Sequence, residues 1–298
     1  MKFSVQSEDL DTLKEALESS CDKVRFGAEF CEWKIPDSSL LREAYALSKD
    51  LGKDFAYVTP RISESNLDRI RDQLDLLNKE GTIEIVCNDF GAFNILGHYP
   101  NLSPHLGRQL VHVPSRCPWM KTDIKDILFS PKMTLRRARI LRGEREVYSQ
   151  TSLHYLPTIQ FYRDHGVQGI DLDWIPRCFP DFDFLEKQGL KLSVHLQLVP
   201  VTLTRKCHTA RFLGERAPQA CSKPCKTKAF LLKHDELELF LNGNVVFSQT
   251  DPSEKDMKSL LKHNVAELVI SMNPVTRMSS RERIDEFILQ LKSIGHFK

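Results

Sequence analysis

Long apolar runs are missing from this sequence: nowhere do eighteen apolar residues follow one another, so no membrane-spanning helix is expected. Charge of one sign is missing too. The 42 Lys and Arg against 40 Asp and Glu leave a formal +2 over 298 residues, which gives no electrostatic case for the whole chain wrapping nucleic acid. The opening MKFSVQSEDLDTLKEAL lacks the apolar segment of a secretory signal, and a cytoplasmic protein is expected. Internal repeats and low-complexity linkers are absent, and a chain of this length can bury one large core, so residues 1–298 are expected to form a single domain. No Ser-His-Asp arrangement and no His-Glu-x-x-His helix is found, which argues against a protease.

Eight cysteines are present, too few for a disulfide scaffold at this length and, in a reducing compartment, pointing to metal or redox chemistry. Three of them crowd one stretch, CHTARFLGERAPQACSKPC, at Cys207, Cys221 and Cys225. The C-x13-C-x3-C spacing lets the last pair bind one metal centre from a single turn. Three thiolates need a fourth ligand, and Cys31 in FGAEFCEWK is the best placed, because it follows the short strand KVRFG and stands at a strand end, where α/β proteins place their chemistry. Soft sulfur ligands select zinc, copper(I) or an iron-sulfur cluster over magnesium and calcium. Structural zinc usually takes two close pairs, whereas one pair and two single cysteines suit a 4Fe-4S cluster. Arg205, Lys206, Arg211 and Lys223 favour thiolates and offset the negative charge of such a centre. Free buried thiols beneath a charged surface loop are the alternative.

The run Cys207-x-Thr209-Ala210-Arg211, followed by Cys221 and Cys225, resembles the cluster-binding segment of peptidase family U-32, and within it the branch serving oxygen-independent ubiquinone biosynthesis, the UbiV-like proteins. Gly27-x-x-x-Cys31 resembles the family's first-ligand segment, Asp89-x-Gly91-x-x-Asn94 its D-x-G-x-x-N turn, and Leu239 to Gly243 its V-x-L-N-G strand and turn. Pro200 precedes Cys207 at the expected distance. The likeness touches residues 22–35, 82–97, 191–250 and 265–275. The chain departs from the pattern at Ala28, at Glu32-Trp33-Lys34, at Leu196-Gln197 and at Ile270. The resemblance implies a 4Fe-4S cluster on Cys31, Cys207, Cys221 and Cys225. It further implies oxygen-independent hydroxylation of a quinone precursor or related small aromatic substrate, prephenate as oxygen donor, and a UbiU-like paralogous subunit as heterodimer partner. An RNA-modifying hydroxylase and a non-catalytic, metal-stapled partner subunit are the competing readings.

Along the chain, strand and helix alternate. Strands are expected at 2–5, 24–27, 55–58, 82–86, 110–113, 169–172, 192–198 and 266–272, with helices from Asp9, Asp37, Ser63, Thr151, Phe182, Asp251 and Arg281. This rhythm predicts an α/β protein, a TIM-barrel-like parallel β/α barrel, carrying the cysteine loop and an inserted hairpin whose Asn242-Gly243-Asn244 turn readily takes positive φ. Asn88 or Asp89 is expected to cap the helix after the fourth strand, with ligand contact as the sharper alternative. Cys117 could be a further ligand, though the family pattern does not ask for it. Asp173, at a strand's carboxyl end, could bind substrate or position a base, and His195 and Gln197 could line a cavity or be core residues. Arg136, Arg137, Arg139, Arg142 and Arg145 mark a solvated amphipathic helix or an RNA surface.

Overall fold

The computed structural model describes residues 1–117, 150–175, 182–215, 221–234 and 237–294. The chain opens with β1 (Lys2–Ser7), α1 (Leu10–Glu18), β2 (Lys23–Phe26), α2 (Ser38–Asp50), β3 (Asp54–Val58), α3 (Leu67–Asn78), β4 (Ile83–Cys87), α4 (Phe90–Leu96) and β5 (Leu102–Leu106). It continues with α5 (Leu156–Asp164), β6 (Gly169–Asp173), α6 (Phe182–Lys187), β7 (Lys191–His195), β8 (Leu198–Leu203) and α7 (His208–Phe212). The last part holds β9 (Phe230–His234), β10 (Leu237–Asn242), β11 (Val245–Gln249), α8 (Glu254–Leu260), β12 (Val265–Ser271) and α9 (Arg281–Ile294). Strands β1-β12-β7-β6-β5-β4-β3-β2 close a parallel barrel, as the alternating sequence predicts.

Local chemistry places the helices. Asp9 accepts the Thr12 N–H at 3.0 Å and starts α1, whose Leu13, Ala16 and Leu17 fall on one buried face. Ser253 and Asp256 form a reciprocal capping box at the start of α8. The main hydrophobic cluster lies between the strands' outward side chains, such as Val24, Phe26, Tyr57 and Ile85, and the helices. Each fully buried large apolar side chain there contributes about 1.5–3 kcal/mol. A helix shell consumes one face of every strand, so the alternate residues face the barrel interior.

Four expectations are corrected. The fifth strand is Leu102–Leu106 and not 110–113. Pro104 and two polar residues disguise it, while Val111 and Val113 are buried from an irregular segment. The expected strand 192–198 is two strands, because the barrel strand stops at His195 and Leu198–Leu203 joins another sheet. The hairpin is therefore no isolated insertion: β10 and β11 are the middle of a four-stranded antiparallel sheet, ordered β8-β11-β10-β9. The helix expected from Thr151 begins at Leu156, where Pro157 supplies a preset φ in its first turn. The arginine run at 136–145 lies outside the described residues.

Candidate functional site

Gly27 ends β2 with φ +129°, and a Cβ there would lie 2.3 Å from the Val58 carbonyl oxygen. Only glycine turns the chain here, and the turn delivers Phe30 and Cys31 to the carboxyl-terminal mouth of the barrel. Cys31 precedes a 3-10 turn (Glu32–Lys34), and burial pushes its thiol up to about 12, against the Trp33 amide and the Lys34 charge. Cys207 caps the start of α7, where the Ala210 N–H donates to its sulfur at 3.4 Å. The Lys223 N–H donates to Cys221 Sγ at 3.4 Å, and Cys225 is buried on the 3-10 turn Pro224–Lys226.

The four thiols form one electrostatic neighbourhood. Cys225 feels the charge of Cys207, Cys31 feels that of Cys225, and Cys221 feels that of Cys207. Lys34 is buried between them and Glu8, to which its ammonium donates at 2.5 Å. Burial opposes the Lys34 charge, yet Glu8 and then Cys225 hold its pKa above the ordinary lysine value. Cys31 and Cys207 line one cleft together with Phe30, Arg61 and Asn244.

The four-stranded sheet braces this arrangement. Asn244 Nδ2 donates to the Phe30 carbonyl and to the Thr204 carbonyl, both at 2.9 Å, tying the Cys31 loop to the segment that leads into Cys207. Asn242 Nδ2 donates to the carbonyls of Cys225 at 2.7 Å and Lys228 at 2.9 Å. Thr209 N–H donates to the Gly243 carbonyl at 3.1 Å. Phe30 packs edge-on against Phe247, in a small apolar cluster with Leu198, Val245 and Val275. The Asn-Gly turn that the sequence marks as a hairpin is thus the seat of the cysteine segment.

Beneath the cysteines the interior carries charge. At the mouth, Arg108 clasps Glu29 through Nε at 2.6 Å and Nη2 at 3.0 Å, and donates to Asp173 at 2.9 Å. Arg116 also pairs with Asp173. One layer lower, Arg25 Nη1 donates to both oxygens of Asp171, at 2.9 and 2.8 Å, and its Nε donates to Glu267 at 2.5 Å. His105 and His195 each approach Asp171 through Nε2, at 2.8 and 3.1 Å. Gly169 makes room, since a Cβ would meet the His105 ring at 2.6 Å. Lys23, held by Glu84 and Glu267, closes the floor. Burial works against ionising Asp171, but Arg25 and the two histidines hold its carboxyl well below the usual range.

The structure brings all four predicted ligands to this mouth. Asp89 caps α4, accepting the Gly91 and Ala92 N–H groups, so the bland reading of that turn holds, and Asn88 spans the Thr59 carbonyl and the Gln109 N–H. Asp173 is committed to two arginines, and His195 and Gln197 are buried. Cys117 ends the 3-10 turn that carries Arg116. Sequence reasoning missed Arg25, Glu29, His105, Arg108, Glu267 and Asn244. A signal was present: Lys23 and Arg25 alternate with apolar residues in a strand whose apolar face the helices cover, so the charges must point inward.

No protein-family model and no curated protein matches this chain. Among solved structures it is similar to thiamine phosphate pyrophosphorylase from Pyrococcus furiosus, at 8% identity over 98% of this chain and 95% of that one, with a TM-score of 0.46. KGPDC from Streptococcus mutans is similar at 10% identity over 98% of each chain, TM-score 0.44. A U32 peptidase is similar at 10% identity over 92% of this chain and 93% of that one, TM-score 0.44.

Proposed function

We propose that this chain holds a 4Fe-4S cluster on Cys31, Cys207, Cys221 and Cys225 and takes part in oxygen-independent hydroxylation of a small aromatic molecule. The observation that carries the reading is the convergence of one early and one late loop, which puts four thiols in a single electrostatic neighbourhood, with the Glu8 and Glu215 carboxylates at its edge. The sequence spacing of one close pair and two single cysteines suits a polynuclear centre better than a structural zinc ion.

The donor set fits the cluster chemically. It is all sulfur, two backbone N–H groups already point at Cys207 and Cys221, and Lys34 stands as a cation beside Cys225. Bound there, a cluster would supply one-electron transfer or a Lewis-acidic iron. The chain's own part is to hold it over the Arg108–Glu29–Asp173 layer and to keep water out through the Phe30–Phe247 contact. Prephenate as oxygen donor and a UbiU-like subunit as partner belong to this reading through the family resemblance.

Anaerobic purification of the chain, alone and co-expressed with a paralogous subunit, tests it. The expected product is brown and carries about four irons and matching sulfide per chain, and single Cys→Ser changes at the four positions lower the iron content. A colourless, iron-free and folded product from both preparations, or stoichiometric zinc in place of iron, overturns it.

A further inference from the structure

The Asp171 layer contains two buried atoms of opposite polarity that lack a partner among the described residues, Arg25 Nη2 and His195 Nδ1. Both side chains are at most 1% exposed. Their roles are fixed by what they already hold. Asp171, bound twice by the Arg25 guanidinium, is a carboxylate and only accepts, so His195 must present Nε2–H to it. The imidazole's Nδ1 is then a bare lone pair, while Arg25 Nη2 is an obligate donor. Arg25 through Nη1 and His195 through Nε2 grip the same oxygen, Asp171 Oδ2, so the two side chains share one layer of the barrel. Leaving either unmet would cost about 1–3 kcal/mol.

One oxygen bearing both a lone pair and a hydrogen satisfies both. We propose that the barrel interior binds a hydroxyl group, from water or from an alcohol or phenol, whose oxygen accepts from Arg25 Nη2 and donates to His195 Nδ1, making His195 the site's proton acceptor. On transfer the O–H bond breaks and an Nδ1–H bond forms. The imidazolium is then stabilised by Asp171 and the developing oxyanion by Arg25. Burial first, then the charge of Arg108, lowers the His195 pKa, so the ring is neutral and its lone pair available. The charged groups that act on it are Arg108, Asp171, Glu29 and Asp173.

The surroundings suit a neutral hydroxyl better than an anion. Three cations at the mouth are matched by carboxylates: Arg108 by the buried Glu29 and Asp173, Arg116 by Asp173, and Lys34 by the partly exposed Glu8. Gln6 offers a second fixed acceptor at the mouth: it donates Nε2–H to Glu29 at 2.8 Å, which orients its unpartnered Oε1 as an acceptor, and Gln6 and Arg108 line the cavity that also reaches Cys31. Ala56, Val58 and Val86 form a separate apolar group on the inward positions of β3 and β4, a wall for an apolar body.

The inference does not require the cluster, so its test is read on the full chain whether or not iron is bound. Nitrogen-15 spectra of histidine-labelled protein at pH 7 should show His195 neutral with the proton on Nε2. A high-resolution crystal structure should show one oxygen within hydrogen-bond distance of both atoms. Phenol is then titrated. A shift of the His195 Nδ1 resonance, with affinity weakened roughly tenfold in His195→Asn, supports a substrate hydroxyl, and an oxygen that phenol leaves in place supports a bound water. A proton on Nδ1 at pH 7, or density without that oxygen, overturns the proposal, and these wild-type readouts decide it even where the variant fails to fold.

Discussion

At the scale of single residues, the site turns on side chains that bridge segments far apart in sequence. Asn244 reaches Phe30, 214 positions away, and Thr204, 40 positions away, with one amide nitrogen. Removing that amide leaves two carbonyls unmet at the junction of the two cysteine loops. Asn244→Ala should cost about 1–2 kcal/mol of stability and lower the iron content of anaerobically isolated protein, whereas Asn264→Ala, remote in sequence from the cysteine segments, should leave the iron unchanged. Iron analysis beside chemical denaturation separates the two effects. The sequence marked the four thiols as candidate ligands, the later three by their spacing and Cys31 by its place at a strand end, because sulfur carries its ligand chemistry in the residue's identity. It left Asn244 looking like a turn residue, because its second role exists only once β11 lies beside β8.

At the scale of elements, the strand ends decide where chemistry sits. Gly27 is the clearest case, with a positive φ and a backbone carbonyl where a side chain would begin. Gly27→Ala should therefore fail by two routes, conformational strain of about 1–2 kcal/mol and displacement of Val58, and its denaturation midpoint should fall well below that of Gly52→Ala, whose site is open. The hairpin was legible because Asn-Gly chemistry is local. Strand β5 was not, since Pro104 and His105 oppose strand propensity and are tolerated only because β4 and β6 pair on either side of it. The split between β7 and β8 was hidden for a related reason: an alternating pattern runs through residues 192–198, yet His195 pairs with Val269 in the barrel while Leu198 pairs with Gln249 in the other sheet.

At the scale of the whole molecule, the barrel is filled along one side by ion pairs, and these give its stability a pH dependence. Burial opposes ionisation of Glu267, but Arg25 and Lys23 outweigh it and hold its carboxyl at about 2. Asp171 is held well below its ordinary value as well. A carboxyl depressed in the folded state favours folding above its unfolded pKa of about 4.3, and that contribution is lost as pH falls toward the folded value. The contribution of these carboxyls should be level from pH 7 to about 5 and fall between about 4.3 and 2, while His195, held below its ordinary value in the fold, costs stability as pH falls through its unfolded pKa of about 6.5. Glu267→Gln should flatten that acid limb while lowering stability at pH 7 by about 3–5 kcal/mol, because Lys23 and Arg25 remain buried without their partner. Denaturant titrations across this range check both signs, and an acid limb unchanged in the variant would place the titration elsewhere.

The sequence by itself determined the alternating strand and helix order, the sulfur-rich character of the candidate centre and a helix cap at Asn88 or Asp89, because each depends on the chemistry of residues near one another in the chain. Only the tertiary structure decided that a four-stranded sheet seats the cysteines, and that Arg25, Asp171 and Glu267, up to 242 positions apart, share the barrel interior. A charged residue in a strand reads as solvent-facing until closure of the barrel turns that face inward, and closure is a property of eight strands together.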